Sequence, residues 1–301
     1  MAAIVTHKFR IHNAEQFYES IGEAAASTYY LYIGRPQAFA TGTGGGTDSS
    51  PPTPNDDIVS EYAQFREMMA AKKVTASDIS FVVPRRTWTS GTTYDIYRPD
   101  YSTTLTSNSS ATNLFSATYY VMTSEYKVYK CMGNDGNTAS TVEPTATGNT
   151  EFATGDGYVW KYMYTMTSTQ TANFLSTDFM PVVDTLGTVT GGSQSTVSSN
   201  AVDGEIRHIA VTTAGSGYTN GTYTSVPIRG DGSSGVCTVV VSGGALASAT
   251  VTAQGSGYTY ATVDVANISG IGGGSNGALT PLVGPKGGHG YDALKELGAF
   301  Y

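Results

Sequence analysis

The sequence predicts a mainly β fold, and composition and patterning both point to it. The 301-residue chain contains 36 glycines and 21 tyrosines. Only 13% of its residues are charged, against roughly 25% in an average soluble domain. Short apolar or alternating runs lie between turns rich in Gly, Pro, Asn and Asp along most of the chain. This pattern is typical of short strands joined by tight turns rather than of a helical bundle.

The first element is predicted to be a short helix. Asn13 is a suitable N-cap with Gln16 three positions later, and Gly22 is a suitable end. The spacing of its apolar residues is that of one helical face. These residues are Ala14, Phe17, Tyr18 and Ile21.

A second helix is predicted after the Gly- and Pro-rich stretch 41–54. Asn55 or Asp56 would cap it, and it would run to about Lys73. Its apolar positions are Ile58, Tyr62, Phe65 and Met69. Each of the two apolar helix faces either covers an edge of the chain's own sheet or is buried in a partner, and the sequence leaves both alternatives open.

Several strands follow from local patterns. Residues 28–33 are apolar on both faces, which favours a strand covered from two sides. A further strand is expected at 79–83, and a hairpin at 119–123 and 126–131 turns at Ser124 and Glu125.

The strand predicted at 158–166 carries aromatic residues at alternate positions. Tyr158, Trp160, Tyr162 and Tyr164 would share one face. One interpretation is a core strand with Lys161 at its edge, and the other is a platform on which a ligand ring stacks.

The third quarter of the chain is a separate region of different composition that contains an internal repeat. Residues 209–219 recur as 249–259 with seven of eleven positions identical, including Gly-Ser-Gly-Tyr-Thr in both copies. In each copy we predict a strand, then two glycines with positive φ, then a tyrosine that packs the turn against the sheet. Two copies indicate a duplicated β unit rather than a solenoid. We expect flexible connections at 185–203 and at 270–277.

The sequence offers little catalytic or metal-binding chemistry. The four histidines do not form a zinc motif, and Cys131 and Cys237 are too isolated for Cys-x-x-Cys. Both cysteines are expected to be buried and reduced. The literal G-x-G-x-x-G at 272–277 lies in no βαβ context. We therefore predict no enzyme activity, no cofactor and no bound metal.

Charge and hydropathy bear on the class of partner. Sixteen basic and 24 acidic side chains give a net charge of −8 at pH 7, whereas a surface that follows phosphates needs clustered Lys and Arg. No apolar run approaches the ~20 residues of a bilayer-spanning helix, and the first ten residues are typical of neither a secretion signal nor a membrane anchor. Neither nucleic acid nor a membrane is expected as a partner.

Six strings, in this order, resemble the family of the T4-like bacteriophage baseplate wedge protein eight, a contractile-tail subunit. They are Ile-Val-Thr-His-Lys-Phe-Arg at 4–10, Phe-Tyr-Glu-Ser-Ile-Gly at 17–22, Tyr-Ile-Gly-Arg at 32–35, Val-Pro-Arg-Arg-Thr-Trp at 83–88, Tyr-Lys-Val-Tyr-Lys-Cys at 126–131 and Gly-Asp-Gly-Tyr-Val-Trp at 155–160. The segment 284–298 is similar to members of the family from marine phages. The Gly-Ser-Gly-Tyr-Thr repeats resemble modules of phage structural proteins, and the T4 member lacks them.

The resemblance implies a layered β-sandwich with two helix-bearing loops, to which this chain adds a small duplicated β domain. We expect a wedge-type core at 1–185, an inserted repeat domain at 186–284 and a carboxyl-terminal segment at 285–301 that returns to the core.

The resemblance also implies a function. It is that of a structural subunit of the virion's tail baseplate, made and assembled in the host cytoplasm, which dimerises and holds other wedge subunits in the pre-contraction geometry. As a hypothesis, the dimer or partner contacts are Phe17, Tyr18, Ile21, Tyr62, Phe65 and Met69. The alternative is a glycan-binding, adhesin-like module that uses the tyrosine-rich strand and the repeat turns.

Overall fold

The structure, a computed structural model, describes residues 5–23, 25–34, 46–53, 65–183 and 193–301. It divides into two compact units, residues 1–80 (unit 1) and 81–301 (unit 2). The described helices are α1 (His7–Gly22), α2 (Ser168–Phe174), α3 (Ser193–Ser199) and α4 (Ala293–Leu297). The described strands are β1 (Tyr29–Ile33), β2 (Ala70–Val74), β3 (Val82–Pro84), β4 (Tyr120–Met122), β5 (Lys127–Asn134), β6 (Phe152–Ala153), β7 (Tyr158–Thr165), β8 (Phe179–Pro181), β9 (Ile206–Thr213), β10 (Gly221–Pro227), β11 (Arg229–Gly230), β12 (Ser233–Ser242), β13 (Ala245–Ser256), β14 (Ala261–Thr262) and β15 (Ala278–Val283). The pairings between these strands are antiparallel, and strand exceeds helix among the described residues, so the prediction of a mainly β fold is confirmed.

In unit 1, α1 begins earlier than the sequence predicts. Its N-cap is Thr6, whose side-chain oxygen accepts the N–H of Phe9 at 3.2 Å, whereas Asn13 lies inside the helix. The prediction of an Asn13 cap was wrong because the apolar face starts earlier, with Ile11. Ile11 and Ile21 are the buried residues of α1.

Strand β2 occupies the end of the predicted second helix. The predicted second helix was to run to about Lys73, but only residues 65–67 of its described part are helical and Ala70–Val74 is a strand. Five consecutive residue pairs join β2 to β1. This tertiary pairing stabilises the strand more than local helix propensity stabilises a helix at these residues. Contrary to the prediction, β1 is not covered from two sides, because four of its five residues are exposed.

Unit 2 is built around a four-stranded sheet of order β4-β5-β7-β6, which we call the core sheet. The predicted hairpin is confirmed: β4 and β5 are adjacent, and Tyr126 takes positive φ in the turn. The strand predicted at 79–83 is displaced to β3 and pairs with β8.

Strand β7 is the centre of the core. Tyr158, Trp160, Tyr162 and Tyr164 have no exposed surface, which supports the core interpretation of this strand over the ligand platform. Lys161 is not at an edge but is buried, and its Nζ donates to the carbonyl of Asn149 at 2.6 Å. Burial lowers the pKa of Lys161.

The repeat forms a module with its own apolar core, residues 203–283, which we call the repeat module. The predicted positive φ is observed at both glycines of each copy, Gly215 and Gly217 in the first and Gly255 and Gly257 in the second. A Cβ at Gly255 would lie 2.6 Å from the carbonyl oxygen of Ser233, so this turn requires glycine for space as well as for φ.

The two repeat tyrosines anchor these turns. The hydroxyl of Tyr218 accepts the N–H of Gly277 at 2.9 Å. The hydroxyl of Tyr258 accepts the N–H of Gly235 at 3.2 Å and donates to the carbonyl of Ile228 at 2.9 Å. Both tyrosines are buried, as the repeat pattern predicted.

The strands of the two repeat copies pair across the copies rather than within each copy. Strand β12, which follows the first copy, pairs with β13 of the second, while β15, which follows the second, pairs with β9 of the first. The segment 270–277 is therefore not the exit connection that we expected. It forms the turn against which Tyr218 packs, and β15 completes the module after it. Because of this exchange, neither copy completes its sheet alone.

Residues 285–301, the carboxyl-terminal segment, contact the core sheet region. The hydroxyl of Tyr119 donates to the carbonyl of Glu296 at 2.8 Å, and the N–H of Val82 donates to the carbonyl of Tyr301 at 3.4 Å. The domain boundaries at 185 and 284 stay a prediction, and residues 81–301 form one compact unit.

Candidate partner-binding surface

Unit 1 exposes a group of large apolar side chains around β1. The consecutive strand residues Tyr30 and Leu31 are 64% and 66% exposed. Ile33 at the end of the strand is exposed as well. We call this group, together with Phe17 on α1 and with Phe65 and Met69 in the segment before β2, the β1 surface. It comprises Phe17, Tyr30, Leu31, Ile33, Phe65 and Met69.

Two contacts connect the elements that carry this surface. The ring of Phe17 on α1 meets the ring of Tyr29 edge-on, with centroids 5.2 Å apart. At the other end of the strand, the backbone N–H of Met69 donates to the carbonyl of Ile33 at 2.8 Å. The helix residue Phe17 and the segment of Met69 thus adjoin opposite ends of β1.

The predicted contact residues occupy different environments. Phe17, Phe65 and Met69 are 55%, 74% and 62% exposed, so their side chains are accessible. Tyr18 is partly buried and Ile21 is buried. Tyr62 lies outside the described residues. The assignment of these six residues to an interface stays a prediction.

The residues that the sequence reasoning missed are Tyr30, Leu31 and Ile33. Their apolar character predicts burial on both faces, but among the described residues their strand pairs only with β2, whose residues are mostly exposed. The sequence of β2 did contain a signal for this exposure. The small and charged side chains of Ala-Ala-Lys-Lys cannot cover a strand of large apolar residues. A two-stranded sheet alone is marginally stable in water, and large apolar patches usually mark interaction sites.

A polar cluster flanks the β1 surface. Lys72 of β2 forms a salt bridge with Asp78, and the backbone N–H of Thr75 donates to the same carboxylate at 3.0 Å. Hydrogen bonds from Lys72 and Thr75 lower the pKa of Asp78 to about 2. The surface is therefore apolar at β1 and charged beside β2.

The described residues hold no cluster of three or more His, Cys, Asp or Glu side chains that could bind a metal ion. Carboxylates at two Asp-Gly turns accept backbone hydrogen bonds within the chain: Asp156 accepts the N–H of Thr141 and of Val142, and Asp231 accepts the N–H of Thr259. These carboxylates therefore stabilise Asp-Gly turns of the chain itself. In the part of the chain that the structure describes, no helix is long and apolar enough to cross a membrane.

The cysteines are buried and free, as predicted. Burial raises the pKa of Cys131 well above its usual range and that of Cys237 to about 11. Because a nucleophilic cysteine needs a lowered pKa, neither thiol is an activated nucleophile.

The residues behind the glycan-binding alternative are buried. The four aromatic rings of β7 have no exposed surface, and Tyr218 and Tyr258 are 7% and 3% exposed. Sugar stacking needs an accessible ring face. No observation in the described residues therefore favours this alternative.

The fold and this surface define a class of protein, a β-rich subunit with an apolar surface suited to contact another protein. Comparison with known proteins is more specific. Residues 3–143 match the family described as Bacteriophage T4, Gp8. The baseplate wedge protein gp8 of Enterobacteria phage T4 is 25% identical over 207 residues, which cover 60% of this chain and 60% of that relative.

These matches confirm the resemblance to this family that the ordered sequence strings predicted. The alignment spans about three fifths of the curated relative. The family match covers α1, β1, β2 and the β4–β5 hairpin, while the repeat module lies outside residues 3–143.

Proposed function

We propose that the chain is a structural subunit of a contractile-tail phage baseplate wedge. It resides in the virion's tail baseplate, is assembled in the host cytoplasm, and contacts neighbouring wedge subunits without catalysing a reaction. The family relationship supports the wedge role. The observation that carries an assembly role in this chain is the exposed β1 surface.

Within this role, we propose that the β1 surface forms a homodimer contact and that the assembled subunits hold the pre-contraction geometry. Covering apolar surface contributes roughly 25 cal/mol per Å², and specific interfaces bury ~1,200–2,000 Å². Leu31 and Ile33 lie on one face of β1 and Tyr30 on the other, so exposed apolar area is available on the strand for such burial. An interface of this kind also supplies a covering layer that the described residues do not provide for β1 and β2.

The homodimer is tested by light scattering after size exclusion at micromolar concentration. The expected mass is twice the 31.5 kDa of the chain. Leu31→Asp and Phe65→Asp place a charge on the β1 surface and should yield monomer. Val142→Asp is the control, because Val142 is an exposed apolar residue of unit 2. A wild-type monomer under these conditions contradicts the dimer.

The wedge role is tested separately by electron cryomicroscopy of the particle that contains this chain. Density for the chain should lie in the tail baseplate, in contact with other subunits. The repeat module provides a shape marker because it has its own apolar core. Density in the head or the tail tube would contradict the wedge role even if the dimer exists.

A further inference from the structure

A buried charged cluster lies where three parts of unit 2 meet. Lys130 on β5 of the core sheet has no exposed surface and forms a salt bridge with Glu296 of α4. Its Nζ also lies 2.7 Å from Nδ1 of His289 and 4.4 Å from the ring centroid of Tyr97. Thus two side chains of the carboxyl-terminal segment satisfy one buried ammonium group of the core sheet.

His289 also contacts the repeat module. Its backbone N–H donates to Oε1 of Glu205 at 2.8 Å, while Oε2 of the same carboxylate accepts from Nε of Arg207 at 2.7 Å. Glu205 is 1% exposed and directly precedes β9. His289 therefore forms hydrogen bonds to both parts of the unit. Its ring bonds to Lys130 of the core sheet, and its backbone N–H bonds to Glu205 of the repeat module.

Neighbouring bonds support the same connection. The N–H of Gly287 donates to the side chain of Asp203 at 2.7 Å, and the N–H of Gly284 donates to the carbonyl of Glu205 at 2.8 Å. The segment 284–290 is thus bonded along its length to the first residues of the repeat module. On the other side, Arg207 reaches Glu151, beside β6, at 3.2 Å.

The bond between Lys130 and His289 requires a neutral imidazole. An ammonium group can only donate, so Nδ1 must be the acceptor and any ring proton must be on Nε2. Burial and the positive charges of Lys130, Arg207 and Lys161 hold the pKa of His289 well below its usual value. The ring packs edge-on against Tyr97 at 5.1 Å between centroids, which fixes its orientation.

We propose that His289 is a positioning residue that locks the repeat module onto the core sheet, so that the module is held rigidly rather than tethered by a flexible linker. The Nδ1 acceptor and the backbone N–H donor of His289 together hold the repeat module against the core sheet. Breaking the ring bond leaves the ammonium group of Lys130 with Glu296 but without the Nδ1 acceptor, and the segment 284–290 loses its direct bond from a side chain to the core sheet. The inference does not depend on the proposed wedge role.

The test is amide hydrogen exchange measured by mass spectrometry on the full chain. In His289→Ala, amides of 284–290 and 203–207 should exchange at least about tenfold faster, because the bonds that protect them open locally. The β12–β13 pairs within the repeat module should keep their protection. His289→Asn should stay within about threefold of wild type, since its side-chain oxygen can accept from Lys130 near the position of Nδ1.

His12→Ala is the matched control, because His12 is exposed on α1 of unit 1. It should leave all of these exchange rates unchanged. Three results would overturn the proposal. They are wild-type exchange in His289→Ala, equal acceleration throughout the core sheet and the module, and failure of His289→Asn to restore protection.

Discussion

Tyr258 illustrates how one side chain stabilises a turn of the repeat module. Its hydroxyl both accepts a backbone N–H and donates to a backbone carbonyl, and its ring fills the space beside Gly232 and Gly255. A buried tyrosine hydroxyl that is fully bonded gives the turn a single arrangement, since both backbone groups are otherwise away from water.

Tyr258→Phe should therefore lower the free energy of unfolding by ~1–3 kcal/mol, because it leaves the N–H of Gly235 and the carbonyl of Ile228 without this partner. Urea denaturation followed by tyrosine and tryptophan fluorescence measures the change. The control is Tyr260→Phe, since Tyr260 is 61% exposed two positions later. Equal stability of the two variants would show that the hydroxyl does not stabilise the turn.

Asp156 links the stability of unit 2 to pH. Burial raises the pKa of Asp156, but hydrogen bonds from Thr154, Val142, Thr141 and Ser140 outweigh it and lower the pKa to about 2. A carboxylate with a lowered pKa in the folded state stabilises that state above its ordinary pKa. This contribution is lost as the pH falls from about 4 to about 2.

Asp156→Asn should flatten the fall of the free energy of unfolding over this pH range, while making the protein less stable than wild type at neutral pH. Urea midpoints at pH values of about 6, 4 and 2.5 measure this. A variant whose midpoint falls in parallel with wild type would exclude Asp156 as a source of the acid sensitivity.

At the scale of elements, the repeat module depends on closely packed glycine turns. Gly255 and Gly243 have the same φ of 63°, but a Cβ at Gly255 meets Ser233 and Tyr258, whereas a Cβ at Gly243 meets nothing within 4 Å. The two positions therefore separate backbone strain from steric clash within one module.

Gly243→Ala should cost ~1–2 kcal/mol of stability from the left-handed conformation alone. Gly255→Ala should cost that amount and roughly 1–3 kcal/mol more, because the new methyl group has no room. Thermal unfolding of both variants gives the difference. Equal costs would mean that the turn at Gly255 relaxes to admit the methyl group.

On the same scale, the repeat pattern predicted the local turn but not the pairing. Positive φ at Gly215 and Gly255 and the buried tyrosines follow from the repeated Gly-Ser-Gly-Tyr-Thr string, since glycine and an aromatic anchor specify the turn locally. That β9 pairs with β15 rather than with a strand of its own copy depends on contacts about 70 residues apart, which a local pattern does not encode.

At the scale of the whole molecule, exposed apolar surface is concentrated in unit 1 while unit 2 buries a large aromatic core. If the β1 surface is covered by a second copy, dimerisation adds to the stability of unit 1 by mass action. Stability of this kind depends on protein concentration, whereas the stability of a monomer does not.

The melting temperature of unit 1 should therefore rise as the protein concentration increases about a hundredfold, and Leu31→Asp should abolish that dependence. Differential scanning calorimetry at the two ends of this range is the measurement. Val142→Asp should retain the dependence. A melting temperature that is independent of concentration in the wild type would argue against the homodimer at the concentrations used.

The chain's composition and turn residues determined the mainly β class, the β4–β5 hairpin and the repeat turns, and its ordered strings indicated the similarity to the Gp8 family. These properties are local, because glycine geometry and apolar alternation act over a few residues. Only the tertiary structure decided that 70–74 is a strand, that β1 is exposed, and that Lys130, Glu205, His289 and Glu296 meet in one buried cluster. Each of these depends on which distant segment occupies the neighbouring space, and the free energy of that choice is not contained in any one stretch of sequence.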